Sequence, residues 1–223
     1  LEKFQKKMNK TNKQIKSKER VSQHGEVYTS EREVNNMLDL VKNETERLDS
    51  RFLEPACGDG NFLINILERK MNILVSRYKK QQHEFEKYSI VVISSIYGID
   101  ILKDNIEETK KRLYDYYFKV YSKIFKNSQN NELLKNIQYI LDKNMILGDA
   151  LSLKKVDLDE PVTFSEWSLV NNSIKRRDFT FENLLLNSPL EGENLFSDLG
   201  DDVFIPTPVK EYPLVHYSKI SEL

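Results

Sequence analysis

Apolar positions alternate between helical and extended spacing from residue 30 to residue 153, and the pattern then changes. Ser30 followed by Glu33 fits a capping box, and Val34, Met37, Leu38 and Val41 follow at helical spacing. A helix is therefore predicted from residue 30 to about residue 46. Residues 51–54 read as a short strand. Residues 61–79 read as a long helix with Phe62, Leu63, Ile66, Leu67, Ile73 and Leu74 as its apolar positions. Residues 81–88 read as a polar extension or turn, and 90–93 as a helix end or bridge into a second strand at 96–100. A further helix spans 105 to about 125, with Ile106, Leu113, Tyr117 and Val120 on one side. After a polar loop at 126–131 come a short helix at 133–141 and a third strand at 144–150. Strand, helix, strand, helix, strand in this order predicts a parallel, partial doubly wound α/β sheet of Rossmann-like type with right-handed crossovers.

The pattern predicts three regions: a basic N-terminal arm at 1–20, an α/β domain at 21–153, and an irregular C-terminal extension at 154–223 that serves as a partner or self interface. In the extension, 162–170 reads as a strand, 175–179 as a basic turn and 181–186 as a short helix. Pro189, Pro206, Pro208 and Pro213 break the remainder. Trp167 fits core packing or an interface anchor. Arg176 and Arg177 fit a solvated or ion-paired role, or phosphate contact. The arm carries Lys3, Lys6, Lys7, Lys10, Lys13, Lys16 and Lys18 with only sparse apolar residues, which fits a solvated face or a phosphate-contacting arm.

Composition adds less. Lys+Arg 34 against Asp+Glu 35 gives a formal net charge of -1, so no global basic excess advertises nucleic acid. The single cysteine, Cys57, allows no internal disulfide, which fits a reducing cytoplasm. No apolar run approaches the roughly 20 residues that span a bilayer, and the lysine-rich start has no signal-peptide core. His24 and His216 lack Cys or His neighbours at ligand spacing, so no metal site is expected.

The chemistry sits at the strand ends. Glu54, Asp100 and Asp149 close three successive predicted strands. In a parallel sheet those ends share the edge where ligands bind, and carboxylates there accept hydrogen bonds from ribose hydroxyls or an amine. After Glu54 the turn holds Ala56, Gly58 and Gly60, small enough for backbone to approach a ligand. Its Gly58-Asp59-Gly60 spacing departs from the G-x-G-x-x-G of dinucleotide sites. Singly, each acid also fits a helix cap; together they favour a nucleotide-like cofactor.

The string Glu54-Pro55-Ala56-Cys57-Gly58-Asp59-Gly60-Asn61-Phe62-Leu63 resembles motif I of the N6-adenine DNA methyltransferases of restriction–modification systems. Residues 25–30, 97–101 and 147–151 resemble that family's motifs X, II and III, in the gamma-type order. The resemblance covers roughly residues 20–152. It implies that S-adenosyl-L-methionine is the cofactor. Tyr28 and Thr29 would then flank its methionine part, and Glu54, Ala56 and Gly58 would hold the amino and carboxylate end. Asp100 would take the ribose hydroxyls and Ile101 would lie against the adenine. Asp149, beside Ala150, would accept from the adenine amino group, with Phe62 near the ring. Cys57 reads as a packing residue rather than a nucleophile.

The family's catalytic Asn-Pro-Pro-Tyr, which polarises and stacks on an adenine flipped from the duplex, has no match. The nearest string, Asn187-Ser188-Pro189-Leu190, lacks the second proline and the aromatic ring. Three explanations stay open: a fragment of a longer chain, a degenerate binding protein, and a split enzyme. The strings Glu166-Trp167-Ser168 and 175–179 also resemble short standalone proteins labelled M subunits of restriction–modification systems, which favours the split enzyme. On that reading a partner methyltransferase or specificity polypeptide carries motif IV, and DNA is engaged through the complex. Homo-oligomerisation is a further possibility. The alternative function is a catalytically inactive regulatory or structural subunit.

Overall fold

A computed structural model describes residues 19, 20, 22, 29–186 and 207–223. The N-terminal arm up to residue 18, Tyr28, and Asn187 to Leu190 lie outside the described residues. The chain is mixed α/β. Its first helix, α1 (Glu31–Leu40), starts as the sequence predicts: Ser30 Oγ accepts from the Glu33 amide and Glu33 returns the bond to the Ser30 amide. At Val41 the helix breaks and a single turn, α2 (Lys42–Thr45), follows.

Strand β1 (Phe52–Glu54) leads into α3 (Asn61–Tyr78), α4 (Gln82–Ser94) and β2 (Ile96–Asp100). From there α5 (Lys103–Ile124) and α6 (Asn131–Asn144) lead to β3 (Met145–Asp149). The expected polar extension and bridge at 81–93 form instead one continuous helix, α4. Its apolar second half buries Ile90, Val92 and Ile93, and its polar first half is held by a buried cluster. Within that cluster Tyr121 donates to Glu86 Oε1 at 2.6 Å, Asn130 donates to Oε2 at 3.0 Å, and Gln82 donates to Oε1 at 2.7 Å. A carboxylate so fully satisfied is tolerated in a core.

Strands β1, β2 and β3 are parallel, with Glu54 beside Gly98 and Asp100 beside Leu147. A short antiparallel strand, β4 (Lys154–Lys155), completes a four-stranded sheet in the order β1-β2-β3-β4. The parallel core matches expectation. The order steps one way only, so the reversal that would make the sheet doubly wound does not occur among the described residues. Side chains alternate across the strands. Gly98 and Met145 lie on the face that packs against Leu63 of α3, while Tyr97 lies on the opposite face.

That opposite face meets a second sheet, which corrects the expectation of an irregular extension over 154–223. β5 (Thr163–Val170) and β6 (Ser173–Thr180) form a full-length antiparallel hairpin joined by Asn171-Asn172. Asn171 adopts φ 57, a conformation Asn tolerates better than most residues. Thus 175–179 is strand, not a basic turn. After α7 (Phe181–Leu186), β7 (Lys210–Glu211) and β8 (Val215–His216) both pair with β6, and a kinked 3-10 segment, Tyr217–Glu222, follows. Tyr97 donates to the Ser165 carbonyl at 2.9 Å and meets the Phe164 ring edge-on, locking hairpin to sheet. Trp167 is core: its Nε1 donates to Asn144 Oδ1 at 2.9 Å. Among the described residues no helix is long and apolar enough to cross a membrane.

Lys70 on α3 is fully buried. Its Nζ donates to the Leu48 and Ser50 carbonyls and to Ser95 Oγ, tying α3 to the chain entering β1 and β2. Burial pushes its pKa down to about 7. Above pH 7 the unfolded chain therefore keeps a proton that the folded chain sheds, so stability rises with pH through that window. Between pH 7 and 9 wild type is expected to gain about 2 kcal/mol relative to Lys70→Met. Urea unfolding of both proteins at the two pH values measures this; parallel curves would refute it.

Candidate functional site

The turn between β1 and α3 is built from its smallest residues. Gly58 and Gly60 take φ 54 and φ 86, left-handed values that cost a side-chain-bearing residue strain. A Cβ on Gly60 would also lie 2.9 Å from the Thr109 side chain. The turn is stitched to β2: the Cys57 amide donates to the Ile99 carbonyl at 2.9 Å, and the Gly58 amide donates to Asp100 Oδ2 at 2.8 Å. Gly60 serves as the N-cap of α3, leaving the first amides of that helix without a side-chain cap and without an acid in the first turn. Those amides, at the positive end of the helix, suit an anionic group.

Around this turn lies a cleft of about 550 Å3. The structure brings into its wall every candidate residue that lies among the described residues. Thr29, Glu54, Ala56, Gly58 and Phe62 come from the first strand–turn–helix unit and the segment before α1. Asp100, Ile101, Asp149 and Ala150 come from the ends of β2 and β3. The three strand-end acids differ in setting. Glu54 is half-buried, and burial raises its pKa against the opposing pull of the Ala56 amide. Asp100 is buried; besides Gly58 it accepts from the Leu102 amide at 2.8 Å and from Asn105 Nδ2 at 3.3 Å. Asp149 is only partly buried, and the Leu151 amide, at 2.9 Å, holds its carboxyl below the usual range.

Cys57 is inert packing. Burial, aided by the Asp100 charge, pushes its thiol up to about 12, so no thiolate is available near neutral pH. Ile101 and Leu151 are exposed apolar residues at the rim, and Phe62 is half-buried beside them. A flat ring could lie against such surfaces. The cleft thus offers acidic acceptors at three strand ends, helix amides for an anion and apolar rim surface. That donor and acceptor set fits a ligand that is at once cationic, hydroxylated and aromatic. Among the described residues no group of His, Cys, Asp and Glu could hold a metal ion.

Sequence reasoning missed Asp59, Asn105 and Leu102, which also line the cleft, and Arg112 and Thr109 behind the turn. Asp59 was legible as part of the glycine turn. Arg112 lies far along the chain on α5 and carried no local signal.

Against this geometry, the chain matches no family model, and no curated protein or solved structure gives a significant match.

Proposed function

We propose that the chain binds S-adenosyl-L-methionine as the cofactor subunit of an adenine-specific DNA methyltransferase of restriction–modification type. The convergence of Glu54, Asp100 and Asp149 with the Gly58–Gly60 turn on one cleft carries the reading. Asp100 would take the ribose hydroxyls, and Asp149 the adenine amino group. Glu54 suits the ligand's ammonium, and the α3 amides suit its carboxylate. When bound, the cofactor supplies an activated methyl group; the residues here orient it and restrict water.

The base-binding chemistry would come from a partner chain bearing Asn-Pro-Pro-Tyr, which also brings the DNA. The free edge of β1 supports this part. Among the described residues β1 pairs only with β2, and Leu53 is exposed beside an apolar cavity walled by Tyr97, Phe164, Phe179, Phe181 and Leu184. An unprotected strand edge beside apolar surface is a place proteins usually cover.

Titration calorimetry with S-adenosyl-L-methionine tests the reading. The folded chain alone should bind the cofactor yet transfer no methyl group to adenine in duplex DNA. Folded protein that fails to bind would leave only a non-catalytic subunit. Adenine methylation by the chain alone would overturn the need for a partner.

A further inference from the structure

The turn that carries the cofactor reading is rich in glycine, and besides its bonds to β2 it is held by side chains of α5. Arg112, on α5, spans the back of the turn: Nη1 donates to the Asp59 carbonyl at 2.6 Å and meets Asp59 Oδ2 at 2.9 Å, while Nη2 donates to Asn61 Oδ1 at 3.0 Å. Thr109 lies three residues earlier on the same face of α5. It is fully buried, and its Oγ1 donates to the Gly58 carbonyl at 3.0 Å. Between them the two side chains take hold of Gly58, Asp59 and Asn61, the residues on either side of the left-handed Gly60.

We infer that Arg112 is a positioning residue that pre-forms the Gly58–Gly60 turn for its ligand, an inference that rests on the cofactor reading above. Glycines in the unclamped turn would sample many backbone conformations, and a ligand would have to order them on binding. A guanidinium is suited to the task because its planar fork reaches several acceptors at once. Asp59 makes the dependence sharper. Its Oδ1 is buried with no hydrogen-bond partner, and Arg112 meets the other oxygen, Oδ2. Without Arg112 the carboxylate gains by turning to water, and it carries the turn with it.

The experiment compares wild type, Arg112→Met and Arg112→Lys by calorimetry with S-adenosyl-L-methionine and by amide hydrogen exchange in the free protein. The Met variant keeps the aliphatic stem and removes every polar contact. Its affinity should fall about tenfold or more, and amides 57–60 should exchange faster by a similar factor. Protection in β5 and β6 should not change. The Lys variant should fall between, because one ammonium can meet Asp59 but cannot also reach Asn61. Faster exchange spread over the whole chain in both variants would mean general destabilisation and would overturn the inference. So would a Met variant that binds as wild type does. If wild type itself fails to bind, the cofactor reading falls, and the exchange rates of amides 57–60 alone decide whether Arg112 holds the turn.

Discussion

Asp100→Ala should weaken S-adenosyl-L-methionine binding by roughly tenfold to a hundredfold and cost about 2–4 kcal/mol of stability. Both effects follow from one buried carboxylate with two duties. Its oxygens accept from the Gly58 and Leu102 amides and from Asn105. Alanine leaves those donors without an acceptor, and a buried unsatisfied donor costs about 1–3 kcal/mol. It also removes the charged acceptor proposed for the ribose hydroxyls, a contact worth about 1.5–3 kcal/mol. Calorimetry and urea unfolding separate the two. Lost affinity with unchanged stability would mean that Asp100 touches ligand but does not hold the turn. Lost stability with unchanged affinity would remove Asp100 from the site. The aspartate is thus the link through which the end of β2 sets the shape of the turn after β1, and Arg112 performs the same service from the other side.

What was legible in the sequence tracks how local each signal was. The parallel core could be read because each of its three strands ends in an acid and the first two are followed by amphipathic helices, signals that lie close together along the chain. Ser30 and Glu33 announced their helix for the same reason. Of the second sheet, β5 was read as a strand, but β6 was misread because its alternation is masked by charge. In β6, Ile174, Arg176 and Asp178 are buried while Ser173, Lys175 and Arg177 are only partly so. Two of the three inward positions are therefore ionic, and period-2 reading by hydrophobicity fails. The usable signal was Asn171, a residue that tolerates the left-handed backbone a tight turn requires. At the cleft, the acids and glycines were visible as a motif, but Arg112 and Thr109 were not. Their partners are about fifty residues away, and only the packing of α5 behind the turn brings them together.

Arg176→Ala should be the most damaging single change in the second sheet, lowering stability by about 3–5 kcal/mol. The side chain is buried within β6 and is paired with Asp178 two residues on: Nε reaches Oδ1 at 2.9 Å and Nη2 reaches Oδ2 at 2.8 Å. Nη1 donates to Tyr139 Oη at 2.7 Å, and Nε also donates to Ser165 Oγ at 3.1 Å. The guanidinium lies over the Tyr212 ring at 4.0 Å from its centroid, with Trp167 at 5.4 Å. It therefore joins β5, β6, α6 and the segment carrying β7. Removing it leaves the Asp178 carboxylate in a dry environment with no counter-charge and only the Ser165 and Tyr212 hydroxyls, at 2.8 and 3.0 Å, as donors, which is where most of the cost arises. The pair itself need not be net stabilising, because desolvation offsets much of its attraction. Arg176→Met combined with Asp178→Leu removes both charges and keeps the volume, so it should recover most of the stability lost by Arg176→Ala. Urea unfolding of Arg176→Met, Asp178→Leu and the double variant beside wild type yields the coupling energy directly. A single variant that loses less than about 1 kcal/mol, the range of an exposed ion pair, would show that the pair is not shielded from water. If the double variant is no more stable than Arg176→Ala, the loss comes from the aromatic stack and the Tyr139 bond rather than from a stranded charge.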